Sequence, residues 1–200
     1  MTRPAGAIWV VRHGETEWNV AGRRQGHMDS PLTARGIEQA HAAGRALCAV
    51  FGKGADVAIE SSPLGRARAT AVIVCLELGI PEAHVVTQPL LAELQQGTWE
   101  GLTPEEIDVR YPGARAERER AKWTYTFPGG ESYADVHQRA RRWLGARKPA
   151  GDVIAVTHEM LSRTLQGAYA GWDTEAMLTL NHPHGRVLRF ADGAITESAA

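Results

Sequence analysis

The stretch AIWVVRHGE, residues 7–15, decides the fold of this chain, because an uninterrupted apolar run gives way at once to charged and polar residues. Residues 7–11 predict a short, buried β-strand. The run is too short for a secretion signal or a membrane span, and Arg12 interrupts it. Arg12 and His13 are therefore expected at the carboxyl end of a first strand.

Further along the chain, short apolar runs alternate with helical patterns. Strands are predicted at residues 56–60, 85–86 and 153–156, and helices at residues 33–50, 61–78, 131–147 and 159–170. Smaller signals are an N-cap at Thr33, Pro63 at or near a first helical position, a Thr103-x-x-Glu106 capping box before Pro112, and a hairpin turn at Asp192-Gly193. The alternation favours an α/β architecture with a largely parallel sheet.

Composition limits the classes of function. The length of 200 residues fits one domain, and the hydrophobic share of 44% and charged share of 22% are typical of a globular protein. The formal net charge of -1 lacks the basic excess that nucleic-acid binding requires, so no nucleic acid and no membrane is expected as a partner. Cys48 and Cys75 lie in apolar helical stretches, which predicts two buried thiols and a cytoplasmic location.

Polar residues follow four of the predicted strands. They are Arg12 with His13, Ser62 with Arg66, Glu93, and His158. In an open parallel sheet, ligands bind in the crevice outside the carboxyl ends of the strands. Segments far apart in sequence are therefore expected to converge on one cleft.

These residue types suit phosphoryl transfer. The guanidinium forks of Arg12 and Arg66 match phosphate oxygens and can neutralise them without Mg²⁺. A neutral imidazole at His13 is a competent nucleophile towards phosphorus, and neighbouring arginines disfavour its protonation. Glu93 can protonate the leaving oxygen and later accept a proton from the attacking water.

The motifs resemble those of the histidine phosphatase superfamily, the phosphoglycerate mutase-like proteins. The matching stretches are residues 11–19 (VRHGETEWN), 24–33 (RQGHMDSPLT), 61–67 (SSPLGRA), Glu93 with 97–101 (GTWEG), 128–132 (PGGES) and 157–158 (TH). They span about residues 8 to 160 in the order typical of that family. The resemblance implies a three-layer α/β/α sandwich with a mostly parallel central sheet.

The resemblance also implies roles for individual residues. His13 would be the phosphorylated nucleophile and Glu93 the general acid and base. The phosphoryl group would be bound by Arg12, Arg66, His158 and Asn19, and the substrate near the rim by Gln25 and Gly26. No metal ion and no cofactor is implied.

The chain departs from the family pattern at two positions. Glu159 stands where glycine usually follows the second histidine, so its carboxylate is expected at the substrate site, with an effect on substrate choice or on the pKa of His158. Ala69 replaces a common glutamine, a change expected to matter little.

Three functions remain open at this point. The sequence after Glu93 and the short C-terminal tail look like the small bacterial phosphatases, such as the α-ribazole phosphatase-like group, and favour hydrolysis of a small phosphorylated metabolite. The alternatives are a cofactor-dependent phosphoglycerate mutase-type phosphotransferase and an inactive module that binds a phospho-ligand. A homodimer is an expectation of the resemblance alone.

Three other features allow two interpretations each. His182-Pro183-His184 is expected to be a loop pair rather than a metal site, because no acidic or cysteine cluster completes a ligand set. The charged run 115–122 is expected to be a solvated helix face, or else part of a cap over the cleft, about residues 97–130, in which an arginine meets a second anionic group. The aromatic residues Trp99, Trp123, Tyr125 and Phe127 are expected to pack rather than to stack on a base.

Overall fold

The computed structural model describes residues 6–147 and 151–199. The strands are β1 (Ile8–Arg12), β2 (Ala58–Ser61), β3 (Val85–Thr87), β4 (Val153–Thr157), β5 (Arg186–Ala191) and β6 (Ala194–Ala199). The helices are α1 (Glu17–Val20), α2 (Ala34–Phe51), α3 (Gly65–Leu78), α4 (Pro104–Arg110), α5 (Ala114–Arg120), α6 (Tyr133–Ala146), α7 (Glu159–Ala170) and α8 (Thr174–Thr179).

The strands form one six-stranded sheet in the order β3-β2-β4-β1-β5-β6. β3, β2, β4 and β1 run parallel, whereas β5 pairs antiparallel with β1 and β6 antiparallel with β5. The hairpin turns at Asp192-Gly193 with φ values of 50° and 78°, the two positive angles of a tight hairpin turn. The predicted mostly parallel sheet and the predicted hairpin are confirmed.

Helices cover both faces of the sheet. Ile8 and Val10 of β1 are buried in a core shared with α6 and α7, and the alternating Trp9 and Val11 are buried in a second core shared with α2 and α3. A strand enclosed on both faces needs apolar side chains in both directions, which explains the uninterrupted apolar run. The three-layer α/β/α arrangement is confirmed.

The start of α3 differs from the prediction. The helix begins at Gly65 rather than at Ser61–Pro63, and its N-cap, Leu64, offers no side-chain hydrogen bond. Asp29 supplies the cap from elsewhere in the chain, since its carboxylate accepts the Gly65 N–H at 2.6 Å and the Arg66 N–H at 3.2 Å. A long-range carboxylate therefore decides where this helix starts.

Local helix signals elsewhere are confirmed. Thr33 caps α2, and the Thr103–Glu106 capping box opens α4, which ends before Pro112. Side chains of the loosely patterned segment 97–130 are buried in the same core as α6 and α7; they are Trp99, Ile107 and Phe127, with Trp123 and Tyr125 packed against them. The predicted packing role of these aromatic residues is confirmed.

The two cysteines differ in burial. Cys75 is buried as predicted, whereas Cys48 is only partly buried, and both are free thiols.

Within the described parts of the chain, no helix combines the length and the apolar character that a membrane crossing requires.

Candidate active site

The site lies where three neighbouring parallel strands end. Arg12 is paired with Thr157 and Ser61 with Val156 at the last positions of the β1–β4 and β2–β4 ladders. The residues that follow these strand ends therefore emerge side by side. His13 and His158 have ring centroids 5.1 Å apart, so the expected convergence of distant segments is seen here.

The contacts of His13 define which ring nitrogen is free to react. Its Nδ1 donates to the carbonyl oxygen of Gly14 at 2.7 Å, and its Nε2 accepts a hydrogen bond from Arg66 Nε at 3.3 Å. With the proton on Nδ1, Nε2 keeps its lone pair. Burial, reinforced by the charges of Arg66 and Arg12, holds the pKa of His13 well below its ordinary value of 6.5. His13 is therefore neutral at physiological pH.

Arg66 is held rigidly, with a side chain only 1% exposed. Its Nη1 donates to the carbonyl oxygen of Met28 at 2.9 Å and to the Asp29 carboxylate at 2.8 Å, and its Nη2 donates to the carbonyl oxygen of Gly26 at 2.8 Å. These bonds occupy the outer guanidinium nitrogens and direct Nε towards His13. The loop at 26–29 thus orients the guanidinium.

Arg12 approaches the pocket from the other side. Its Nη1 donates to the carbonyl oxygen of His182 at 2.8 Å, and its Nη2 pairs with Glu159 at 3.0 Å. Its Nε is buried without a hydrogen-bond partner. A buried donor without a partner costs free energy unless a ligand accepts the bond.

His158 has the same unsatisfied character. Its Nε2 lies 2.7 Å from the Ser62 hydroxyl, and its Nδ1 is buried without a partner. Ser62 Oγ also accepts the N–H of Leu64 at 3.2 Å, so this hydroxyl links His158 to the residue that precedes α3. Burial and the charge of Arg66 hold the pKa of His158 well below 6.5. His158 is thus neutral, and its Nδ1 is free to interact with a ligand.

Glu93 reaches the same pocket through the start of α7. Its carboxylate accepts backbone N–H groups of Leu161 at 3.2 Å, Met160 at 3.3 Å and Leu94 at 2.9 Å. Burial lowers the pKa of the Arg66 guanidinium, and Glu93 is the strongest charge that opposes this shift. The carboxylate therefore lies within electrostatic reach of the pocket.

The remaining predicted site residues have distinct positions. Asn19 uses its amide oxygen in the capping box of α1, where it accepts from the Thr16 backbone at 3.0 Å. The side-chain oxygen of Gln25 is buried without a partner. Gly26 has φ +52°, and a Cβ there would stand 2.1 Å from a carboxylate oxygen of Glu100, so this position requires glycine.

Glu159, where the family usually has glycine, forms ion pairs with Arg12 and with Arg163. Its carboxylate therefore restrains Nη2 of the Arg12 guanidinium. The structure thus gives the departure from the family pattern a specific contact.

Sequence reasoning missed contributions from the loop at 182–184. His184 Nδ1 donates to the carbonyl oxygen of His13 at 2.7 Å, and the two rings meet edge to face with centroids 5.4 Å apart. His182 is fully buried, hydrogen-bonded to Ser162 and to the carbonyl oxygen of Arg186. The His-x-His spacing drew attention to this pair in the sequence. Only the tertiary structure shows that His184 holds the carbonyl of His13 after β1.

One other prediction on a single residue is corrected. Arg118 was expected on a solvated helix face, but it is only 6% exposed. Beside Glu93, the partly buried His27 bonds the Glu93 carbonyl oxygen through its Nε2 at 2.9 Å. In residues 6–147 and 151–199, no group of three or more histidine, cysteine or acidic side chains is arranged to hold a metal ion.

The pocket as a whole is suited to a tetrahedral anion. Two guanidiniums and the neutral imidazole of His158 surround the neutral imidazole of His13, whose Nε2 lone pair accepts the Arg66 Nε–H. The buried nitrogen atoms without partners, Arg12 Nε and His158 Nδ1, point to a ligand that carries acceptor oxygens. A phosphoryl group has this character.

Comparisons with known proteins agree with this geometry. A family model described as "Histidine phosphatase superfamily (branch 1)" matches residues 8–194. The chain is 40% identical over 172 residues to the glucosyl-3-phosphoglycerate phosphatase of Mycobacterium tuberculosis, which covers 80% of this chain and 73% of the relative. It is 38% identical over 130 residues to a 2,3-bisphosphoglycerate-dependent phosphoglycerate mutase of Methylobacterium radiotolerans, covering 65% of this chain and 60% of that protein.

Solved structures share the whole fold. The α-ribazole phosphatase from Shigella flexneri superimposes with a TM-score of 0.79 at 26% identity, over 96% of this chain and 95% of that one. The likeness thus extends over both faces of the sheet and the strand ends.

Proposed function

The chain belongs to the histidine phosphatase superfamily and is a phosphoric monoester hydrolase, and we propose that it acts through a phosphohistidine intermediate on His13. In this proposal Arg12, Arg66 and His158 bind the phosphoryl group and Glu93 is the general acid and base. The substrate is a small phosphorylated metabolite.

One observation carries the proposal: the Nε2 lone pair of His13 faces a pocket of N–H donors. The Gly14 carbonyl binds the proton on Nδ1, so the tautomer needed for attack is present before substrate binds. Preorganised donors act on the charge of a transferring phosphoryl group without reorganisation at the moment of reaction.

In the first half-reaction, His13 Nε2 attacks phosphorus in line with the ester oxygen. The N–P bond forms as the P–O bond to the leaving group breaks, and the protonated form of Glu93 gives its proton to that oxygen. Arg12 and Arg66 neutralise the equatorial oxygens. In this proposal the ring proton of His158 is on Nδ1, which has no other partner and donates to the same oxygens. General acid help of this kind contributes about 10²–10⁴-fold to the rate.

In the second half-reaction, water attacks the phosphohistidine. The Glu93 carboxylate takes a proton from the water while the water oxygen bonds to phosphorus. The N–P bond breaks, and inorganic phosphate leaves. His13 returns to its neutral state with the proton still on Nδ1. The backbone N–H groups of Leu94 and Leu161 hold the Glu93 carboxylate in position between the two steps.

Transfer to water is favoured over transfer to a second hydroxyl. The glucosyl-3-phosphoglycerate phosphatase relative aligns with more of this chain than the mutase relative does, 80% against 65%. A mutase would return the phosphoryl group to another carbon and release little inorganic phosphate, so measurement of phosphate release separates the two reactions.

The decisive experiment combines a kinetic and a chemical readout. Wild-type protein is incubated with p-nitrophenyl phosphate, with and without EDTA, and the phosphoprotein is trapped by rapid quenching under alkaline conditions and located by mass spectrometry. We expect nitrophenol and phosphate in equal amounts, activity that persists in EDTA, and the label on His13.

The control variants are histidine substitutions in different places. His13→Ala should abolish turnover and labelling, whereas His41→Ala should change neither, because His41 pairs with Glu77 between α2 and α3. Label on another residue, loss of activity in EDTA, or turnover by His13→Ala would contradict the proposed mechanism.

Location and assembly belong to the proposal as well. Two free thiols, Cys48 and Cys75, support a reducing compartment such as the cytoplasm. Fractionation of cells followed by immunoblotting tests the location, and sedimentation velocity tests the homodimer that the family resemblance predicts.

A further inference from the structure

The carboxylate of Glu159 lies between two guanidiniums. One of its oxygens, Oε2, is 3.0 Å from Arg12 Nη2, and the other, Oε1, accepts a hydrogen bond from Arg163 Nη2. Contacts between ionised groups are stronger than neutral hydrogen bonds, and salt screens them less where water is partly excluded. The Glu159 side chain is only 24% exposed, so the three charges form one partly buried unit.

Arg163 fixes the position of Glu159. The two residues are four positions apart on α7, so helix geometry places their side chains on the same face. Glu159 is also in the first turn of α7, where the helix dipole favours a negative charge. Because Arg163 holds one carboxylate oxygen, the other is directed to Arg12.

A second restraint on Arg12 also comes from α7, through the loop that precedes β5. Arg12 Nη1 donates to the carbonyl oxygen of His182 at 2.8 Å, and the His182 ring Nδ1 is 2.7 Å from the hydroxyl oxygen of Ser162 in α7. Both outer nitrogens of the guanidinium therefore have partners, whereas Nε is buried without one. Since a guanidinium is planar, contacts at its two outer nitrogens also set the direction of its Nε–H.

Glu159 also changes the charge beside the pocket. Burial lowers the pKa of Arg12, Glu159 is the strongest charge that opposes this shift, and the charge of Arg163 acts against Glu159. The Arg12 charge in turn lowers the pKa of His13, after burial and Arg66, so it is felt inside the pocket. Two cations and one anion leave one net positive charge in this unit, whereas a neutral residue at 159 would leave two.

We propose that Glu159 is a positioning residue for Arg12, which directs the Nε–H towards the phosphoryl group and, through its charge, weakens the retention of inorganic phosphate after hydrolysis. This inference rests on the proposed function, because it concerns how the same pocket binds substrate and releases product. Glycine, the usual residue of the family at this position, offers no carboxylate. The restraint on Arg12 is therefore a property of this chain rather than of the common pattern.

The first test is Glu159→Gln, which keeps the size of the side chain but removes its charge. An amide has only one acceptor oxygen, and its NH2 group cannot accept from an arginine. We expect kcat with p-nitrophenyl phosphate to fall roughly 10-fold, because Arg12 is less well placed in the transition state. The inhibition constant Ki of inorganic phosphate should fall about 3- to 10-fold, because a repelling charge is gone. A general distortion of the pocket would raise this Ki instead.

Two further variants separate orientation from charge. Glu159→Asp keeps the charge on a shorter side chain, so kcat should fall roughly 3-fold or more while the phosphate Ki stays within about twofold of wild type. Arg163→Gln frees Glu159 from its anchor and removes a positive charge. Its kcat should also fall roughly 3-fold or more, but its phosphate Ki should rise about 3- to 10-fold.

The double variant Glu159→Gln/Arg163→Gln provides an internal check. Its two changes in charge cancel, so the phosphate Ki should return to within about twofold of wild type. The loss in kcat should be smaller than the product of the two single losses, because both residues act through Arg12.

Glu175→Gln is the matched control. It makes the same chemical change at an exposed residue in the first turn of α8, and it should change neither kcat nor the phosphate Ki by more than about twofold. Urea unfolding of each variant verifies that it is folded under the assay conditions.

The outcomes separate this inference from the proposed function. A wild-type kcat in Glu159→Gln, or a phosphate Ki that is unchanged or higher in that variant, overturns the role of Glu159 but leaves the phosphatase intact. If Glu159→Gln does not fold, a wild-type kcat in Glu159→Asp refutes the positioning role. Absence of His13-dependent phosphate release from wild type overturns the proposed function. Isothermal titration with inorganic phosphate then still tests the effect of the Glu159 charge, and an unchanged Kd in Glu159→Gln refutes it.

Discussion

Removal of the Asp29 carboxylate is the perturbation that best tests how the pocket is built. Asp29 Oδ1 binds Arg66 Nη1 at 2.8 Å, and the same carboxylate caps α3 through the N–H groups of Gly65 and Arg66. Loss of a helix cap costs about 0.5–2 kcal/mol, and loss of a hydrogen bond to a charged group about 1.5–3 kcal/mol.

The two contributions must be discounted because the Asp29 side chain is 39% exposed and water replaces part of what is lost. We therefore expect Asp29→Ala to lower the free energy of unfolding by about 2–3 kcal/mol. Asp29→Asn keeps one acceptor oxygen, and asparagine is a good cap, so it should lose roughly half as much. Because Arg66 then loses an orienting contact, kcat/KM should fall about 10- to 100-fold in Asp29→Ala.

Urea unfolding at pH 7.5 and steady-state kinetics with p-nitrophenyl phosphate measure both effects. Glu38→Ala is the control, because Glu38 forms an exposed ion pair with Arg45 on the surface of α2 and should change neither quantity. If Asp29→Ala unfolds at the wild-type urea concentration and keeps wild-type kcat/KM, the long-range cap does not orient Arg66 and the reasoning is wrong.

Three other predictions follow from the same geometry. Gly26→Ala should lower the free energy of unfolding by about 1–3 kcal/mol in urea, because the positive φ and the contact with Glu100 both oppose a side chain; an unchanged midpoint would contradict this. His184→Ala should lower kcat roughly 10-fold with little change in KM, because it removes the donor to the carbonyl oxygen of His13. His184→Asn keeps a donor and should restore part of the rate. Equal losses in both variants would count against a positioning role. On acidification the free energy of unfolding should fall from about pH 6.5 towards pH 4. The reason is that histidines in the unfolded chain bind protons in this range, whereas the buried neutral histidines of the folded state do not; these are His13, His158, His182 and His184. A flat profile between pH 7.5 and 5 would refute their burial in the neutral form.

Local patterns were sufficient for most of the fold and for the main members of the site. The apolar run at 7–11 and the alternation of strands with helices depend on periodicity, which neighbouring residues define. The Thr103 capping box, the end of α4 before Pro112 and the Asp192-Gly193 turn depend on contacts within a few residues. The ends of parallel strands meet at one edge of a sheet, so the sequence could predict that four side chains lie close together: Arg12, His13, Arg66 and His158.

Contacts between residues far apart in the chain could not be predicted in this way. Asp29 and Arg66 are 37 positions apart, and His13 and His184 are 171 apart, so no local pattern indicates that either pair meets. The charged run at 115–122 has the composition of a solvated helix, yet packing of α5 against the core buries Arg118. Sequence by itself determined which residues can do the chemistry; tertiary structure decided their tautomers, orientations and neighbours, because these depend on which distant groups share a buried, poorly hydrated space.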